Sequence, residues 1–346
     1  ETGAKESEGF SWFLNTIRSL RLRYGSVHLR FGAPISLRTF FIEHPVLDRA
    51  PDERNPQVPK LAFEVSARLN EVTPITPISL VTLALLSAGS RALTLDEVTE
   101  RLKPFIAFVA ERRLPVTEQL EAGDRSRLRK ALDDLTVHGV VSRFEGATAT
   151  VFLVGPEQHL AAAYYRNTII HFFINSAITE LALLAVAEGN RADAVAATLE
   201  EALRIRDTLK FEFFFSGSEE FEAEIRDELR RRDPDYRETL AAGGARQLLG
   251  TFRPFLSPAI LRPFLEAYVV VGDTIEGEAY QSTLDRKEVA SEAMALGKQY
   301  LLQGRLQSTE SVTSVLFESA VALADNRGLF DQTADMVERR LRFAAD

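Results

Sequence analysis

The chain has 346 residues, of which 45% are hydrophobic and 26% charged, so it is long enough for one large or two medium globular domains. It has no cysteine, which excludes disulfides and thiolate metal sites. Its net charge of −9 argues against a protein that coats nucleic acid, because phosphate-backbone binding depends on Lys and Arg. The chain begins at Glu1 without a signal peptide and has no uncharged run of transmembrane length. We therefore expect this chain to be a part of a longer protein and to contain no transmembrane helix itself.

Residues 10–23, FSWFLNTIRSLRLR, combine large apolar side chains with basic ones and contain no acid. This composition is typical of a helix on an anionic bilayer, where each basic residue contributes about 1 kcal/mol. The alternative is that the helix packs on a neighbouring domain and leaves its arginines in water. The predicted membrane contacts in this segment are Trp12, Phe13, Arg18, Arg21 and Arg23.

Residues 26–31 alternate between apolar and polar side chains, which predicts a half-buried strand that Gly32 and Pro34 end. Residues 49–59 carry three prolines among charged residues and predict a linker. The domain boundary is therefore expected at this linker.

Helices, then a hairpin, are predicted next. Thr94 and Glu97 form a capping-box pattern that starts a helix. A second helix starts at Arg125, and residues 140–154 alternate as two strands around Gly146. This order resembles a winged helix, so a stand-alone helical interaction or regulatory protein is one hypothesis. No nucleic-acid partner is expected, because acids directly follow the bases of the second helix.

Residues 160–187 are apolar over most of a helical circumference and predict one continuous buried helix. Polar residues recur along it every four positions and lie on one side, with Arg166 and Glu180 roughly opposite. A packing seam and the wall of a polar pocket both fit this pattern. The recurring polar residues are Asn167, His171, Asn175 and Thr179.

The remaining residues predict further helices, at 192–213, 218–232, 285–302, 308–326 and 332–343. Between them the tetrad Arg-Pro-Phe-Leu occurs twice, at 253–256 and 262–265. Its composition suits a monotopic membrane contact through Phe255 and Phe264, with core packing as the alternative.

The stretch Tyr-Tyr-Arg-Asn at 164–167, followed four residues later by His171, resembles a segment of the membrane-bound glycerol-3-phosphate 1-O-acyltransferases. The dihydroxyacetone-phosphate acyltransferases are similar. Residues 24–35, YGSVHLRFGAPI, resemble the Gly-x-Val…Phe-Gly-x-Pro strand that closes the catalytic domain of that family. Near 232–233 the chain lacks residues that relatives carry, so we expect a missing segment there.

The resemblance implies a mainly α fold: a C-terminal helical domain with a small β-hairpin, preceded by the last helix and strand of an α/β acyltransferase domain. Residues 1–48 would form the end of that catalytic domain, residues 49–59 the linker, and residues 60–346 the helical domain. The implied reaction moves a fatty acyl group from acyl-CoA or acyl carrier protein to the sn-1 hydroxyl of glycerol 3-phosphate in phospholipid biosynthesis. The implied location is the cytoplasmic face of the cell membrane, with peripheral or monotopic attachment. The implied partners are the N-terminal catalytic portion, membrane lipids and, through the full enzyme, both substrates.

The family works through a His-x-x-x-x-Asp pair, in which the histidine is the general base. None of the five histidines here is followed by an acid at the required spacing. We therefore expect no catalytic residue, cofactor or metal in this chain, and no activity from the chain alone. The motif residues are instead expected to support or line the active-site face: Tyr165, Arg166, Asn167, His171, Phe31, Gly32 and Pro34.

Overall fold

A computed structural model describes residues 28–45, 57–117, 125–146, 149–189 and 192–345. The chain divides into two compact units, Glu1–Phe31 and Gly32–Asp346. Of the first unit only residues 28–31 are described, and they form neither helix nor strand. The strand predicted at 26–31 is absent over this part, since no described strand pairs with it to complete its hydrogen bonds. The predicted membrane helix at 10–23 and its contacts lie outside the described residues.

The second unit begins with a short helix and a longer amphipathic one. Ser36 caps the first by accepting from the amide of Thr39. The second begins at Gln57, inside the stretch predicted as a linker, and the domain limits remain a prediction. These helices are α1, Leu37–Glu43, and α2, Gln57–Val72.

The winged-helix-like order predicted from the sequence is present. Thr94 and Glu97 exchange the two hydrogen bonds of a capping box at the start of a helix. The hairpin strands pair antiparallel, with Arg143 opposite Phe152, and a short third strand pairs antiparallel with the second hairpin strand and extends the sheet. The elements are α3, Pro77–Leu86; β1, Leu93–Thr94; α4, Leu95–Glu111; α5, Arg125–Val137; β2, Ser142–Glu145; and β3, Thr150–Leu153.

The prediction of one continuous helix at 160–187 is wrong. The chain forms α6, His159–Asn167, then a 3₁₀ turn, Ile170–Phe172, and then α7, Ile174–Glu188. The break falls at Thr168-Ile169-Ile170, where three consecutive β-branched residues disfavour helix. The polar residues therefore do not share one straight helical face.

The rest of the chain is helical. The helix predicted at 192–213 ends at Thr208, before the three phenylalanines at 213–215, whereas the one predicted at 218–232 is confirmed. Pro263 stands in the first turn of its helix, where its missing N–H is harmless. The elements are α8, Ala194–Thr208; α9, Ser218–Arg232; α10, Tyr236–Ala241; α11, Ala245–Leu249; α12, Ser257–Ile260; α13, Arg262–Gly277; α14, Arg286–Leu302; a 3₁₀ turn, Thr309–Ser311; α15, Ser314–Asn326; and α16, Met336–Ala345.

Two clusters of buried apolar side chains hold this unit together. The first gathers residues from Ile75 to Phe264, and the second residues from Ala267 to Leu329. Helix α13 contributes to both, so it joins them. The mainly helical fold class with a small antiparallel sheet is thus confirmed.

Lipid-facing features were expected in this part of the chain. Across the described ranges, none of the helices combines the length and the apolar character needed to cross a bilayer. Phe264 is buried and packs against Phe213 at 4.9 Å between ring centroids, so its position matches the core-packing alternative. Phe255 is about half exposed, and its membrane contact remains a prediction.

Candidate functional site

Two of the motif segments meet on the C-terminal half of α2. Gly32 lies so close to α2 that a Cβ atom there would be 3.3 Å from a methyl group of Val72. Arg68 Nη1 donates to the carbonyls of Ala33 and Pro34, at 3.4 Å each. The close approach explains why glycine suits position 32, and the hydrogen bonds hold the segment against the helix. Phe31 belongs to the other unit and is almost fully exposed.

His171 reaches the same part of α2. Its Nε2 lies 2.8 Å from the carbonyl oxygen of Asn70, so Nε2 carries the proton and donates it. Burial lowers the pKa of His171 to about 4, and the hydrogen bond to Asn70 opposes this shift only in part. The ring is therefore neutral near pH 7 and acts as a fixed donor that anchors the end of α2.

Arg166 is turned inward. Its Nη1 and Nη2 bind the two carboxylate oxygens of Glu310 at 3.0 and 2.6 Å, and its Nε and Nη2 donate to Asn167 Oδ1. Both ion-pair partners are buried. Arg166 and Asn167 thus join α6 to the 3₁₀ turn at Thr309–Ser311. Tyr165 is half buried and makes an edge-on contact with the exposed ring of Tyr164.

Three other polar residues of this region also have internal partners. Asn175 donates to Glu224 Oε2 at 2.7 Å, and Thr179 donates to the carbonyl of Asn175. Glu180 accepts from the amides of Leu256 and Ser257 at 2.9 Å. Burial raises the pKa of Glu180, against the opposing effect of these hydrogen bonds. The packing seam, rather than the wall of a polar pocket, therefore describes these contacts.

Another side of α2 is apolar and exposed. Val58, Ala62, Val65 and Leu69 recur at helical spacing on one side, and all four are exposed. We call these four residues the α2 stripe. The spacing is visible in the sequence, but periodicity alone does not tell which apolar face lacks a partner. The motif residues therefore fasten a helix whose free side is hydrophobic.

The described residues offer little for chemistry by themselves. Within them, no three His, Asp or Glu side chains lie close enough together to hold a metal ion. Among the hydrogen bonds of these ranges, His44 and His171 each contact a backbone carbonyl instead of a carboxylate. The winged-helix-like surface pairs Arg125 with Asp96 and Arg143 with Glu145, which neutralises bases that would face phosphate.

Comparison with known proteins gives a consistent result. The family model described as the glycerol-3-phosphate acyltransferase C-terminal region matches residues 2–333. A protein named "Putative acyltransferase plsB1" from Mycobacterium bovis is 36% identical over 346 aligned positions, and so is its counterpart from Mycobacterium tuberculosis. Each alignment covers 98% of this chain and 55% of the relative, so the chain spans about half the length of these relatives.

The sequence motifs at 24–35 and 164–171 and the mainly helical fold fit this family, and both comparisons extend over nearly the whole chain. The chain therefore belongs to the glycerol-3-phosphate acyltransferase family and corresponds to its C-terminal region.

Proposed function

We propose that this chain is the supporting portion of a glycerol-3-phosphate 1-O-acyltransferase. The complete enzyme transfers a fatty acyl group from acyl-CoA or acyl carrier protein to the sn-1 hydroxyl of glycerol 3-phosphate. Catalysis is assigned to a portion outside these 346 residues, because none of the five histidines has an acid five residues later. The chain on its own is then inactive.

The observation that carries the proposal is the α2 stripe. Its four side chains remain exposed although α2 is fixed to the domain through Gly32, Arg68 and His171. An apolar face held rigidly in water is unfavourable, at roughly 25 cal/mol per Å², until a partner covers it. The family's catalytic portion is the partner we assign to it, since two family motifs hold this helix in place.

Attachment to the cytoplasmic face of the membrane is part of the same proposal. Its support in the described residues is Phe255, which is about half exposed beside Arg253, whose guanidinium lies 4.2 Å from the ring centroid. An aromatic ring and a cation side by side suit the headgroup level of an anionic bilayer.

To test the proposal, the complete gene is expressed, and acyl transfer is measured as the incorporation of labelled glycerol 3-phosphate into lipid. Leu69→Glu places a charge on the α2 stripe and should lower acyl transfer roughly tenfold or more by weakening the interface. Val315→Glu, at an equally exposed position on α15, is the matched control and should leave activity unchanged. Acyl transfer by the 346-residue chain alone, or full activity of Leu69→Glu, would contradict the proposal.

A further inference from the structure

An apolar cavity of about 600 Å³ opens beside α7, α12 and α13, and its lining residues do not include any from α2. Small-molecule sites have volumes of roughly 300 to 1,000 Å³, so this one is of the usual size. Leu184, Phe255 and Val269 line it and keep 42%, 45% and 54% of their surface exposed. Three large apolar side chains exposed in one concavity differ from isolated surface leucines, because together they favour an apolar ligand.

The two acids that line the cavity are already engaged. Glu180 accepts the amides of Leu256 and Ser257. Glu266 accepts the amides of Gln307 and Ser308, at 2.9 and 3.2 Å, and the hydroxyl of Ser311 at 2.6 Å. Because these N–H and O–H donors already occupy the carboxylate oxygens, the two acids have little capacity left to bind a cation.

The two arginines of the lining are differently placed. Arg262 is exposed in the first turn of α13, and no ion pair is found for it within the described residues. Arg305 lies 3.6 Å above the ring centroid of Tyr300, and its Nη2 is 3.5 Å from Asp273, which is a long contact. Half of the Arg305 side chain remains exposed. Both guanidinium groups can therefore meet an anion, and arginine binds carboxylate and phosphate through paired N–H donors.

We propose that this cavity binds one single-chain amphiphile with an anionic head group. The alkyl chain lies between Leu184, Phe255 and Val269, and the carboxylate or phosphate head binds Arg262 and Arg305. Because Phe255 also carries the membrane contact proposed above, the vesicle experiment below distinguishes these two occupants of its exposed ring. Binding requires no acyl transfer, so this inference can fail while the proposed function stands, and the reverse also holds.

The test titrates the 346-residue chain with cis-parinaric acid, a fluorescent long-chain carboxylate, below its micelle concentration. Saturable binding of one molecule per chain is expected. Dodecanoate and dodecyl phosphate should each displace the probe, and dodecanol should displace it at least roughly tenfold less well, because it has no charge for the arginines. Comparing dodecanoate with dodecyl phosphate tells which head group is preferred.

Variants connect the binding to the cavity. Leu184→Glu adds a negative charge to the apolar wall and should weaken probe binding roughly tenfold or more. Leu160→Glu, at an exposed leucine of α6 that does not line the cavity, is the matched control and should bind like the parent chain. Arg262→Ala combined with Arg305→Ala changes only exposed side chains and should remove the advantage of dodecanoate over dodecanol.

Three results would overturn the inference. The first is the absence of saturable binding, or equal binding by Leu184→Glu and Leu160→Glu. The second is equal displacement by dodecanol and dodecanoate from the parent chain. The third is binding only to vesicles of anionic phospholipid without displacement by monomeric dodecanoate, which would identify a membrane surface instead. Circular dichroism checks that each variant is folded. If Leu184→Glu does not fold, the variant that combines Arg262→Ala with Arg305→Ala tests the inference.

Discussion

Arg166 illustrates how a motif residue can be structural. Its guanidinium is almost fully buried, where an unpaired charge would be strongly unfavourable. Glu310 and Asn167 supply four hydrogen bonds that offset the loss of water. The ion pair connects α6 to the 3₁₀ turn before α15, 144 residues along the chain. Its role in the fold is therefore to join distant segments.

Removing one partner of this ion pair should strongly destabilise the fold. Arg166→Met leaves the Glu310 carboxylate buried and unpaired, so the free energy of unfolding should fall by about 3 to 5 kcal/mol. Urea denaturation measures the change. Arg286→Met, which breaks the exposed pair with Asp325, is the control and should change stability by less than about 1 kcal/mol. Equal effects of the two substitutions would refute this assignment.

His171 should make stability depend on pH. Its folded-state pKa of about 4 lies below the ordinary histidine value of 6.5, so the unfolded chain takes up a proton first as pH falls. The contribution of neutral His171 to the free energy of unfolding is fully present above pH 6.5. As the pH falls towards 4, up to roughly 3 kcal/mol of this contribution is lost. His171→Gln keeps an N–H donor but does not titrate. The difference in unfolding free energy between parent and variant should therefore change across this interval, and a constant difference would contradict the assignment.

At the scale of elements, capping explains where several helices begin. In α4, Thr94 Oγ1 accepts the amide of Glu97 at 3.2 Å, and Glu97 Oε2 accepts the amide of Thr94 at 2.8 Å. These bonds satisfy amides that the first helical turn leaves without partners. The hydrogen bond from Thr94 also helps to hold the pKa of Glu97 below its ordinary value.

Thr94→Ala should lower the free energy of unfolding by about 1 kcal/mol, because it removes the side-chain cap of α4. Thr99→Ala in the same helix is the control. Thr99 only donates back to the Leu95 carbonyl, and alanine has the higher helix propensity, so that variant should be neutral or slightly more stable. Denaturant midpoints of the two variants decide between these outcomes, and a larger loss in Thr99→Ala would contradict the role of the cap.

At the scale of the whole molecule, the two apolar clusters are expected to unfold together. Helix α13 has its first turn in the first cluster and its later turns in the second. Leu316 packs against both clusters. The second cluster therefore cannot open without exposing apolar surface of the first.

Phe317→Ala tests this coupling, because Phe317 is fully buried in the second cluster. The substitution should lower stability by about 3 to 5 kcal/mol, and helix content and tyrosine fluorescence should report the same shifted midpoint. Leu302→Ala, at a 90% exposed position, is the control and should change stability by no more than about 0.5 kcal/mol. A first transition that leaves most helices intact would show that the clusters are independent.

The family, the helical class and the start of α4 could be predicted from the amino-acid sequence, because each depends on residues close together in the chain. The capping pattern of Thr94 and Glu97 is a local signal of this kind. The seven motif residues were also identified from the sequence, but the sequence did not show what they contact.

The contacts of those residues follow from packing between segments that are distant in the chain. The break between α6 and α7 and the inward turn of Arg166 towards Glu310 depend on segments far apart in the chain, and periodicity carries no information about distant partners. The uncovered face of α2 is the clearest case. Its apolar spacing is the same in a buried helix and in an exposed one, and only the packing of the other elements shows that the stripe has no cover within the described residues.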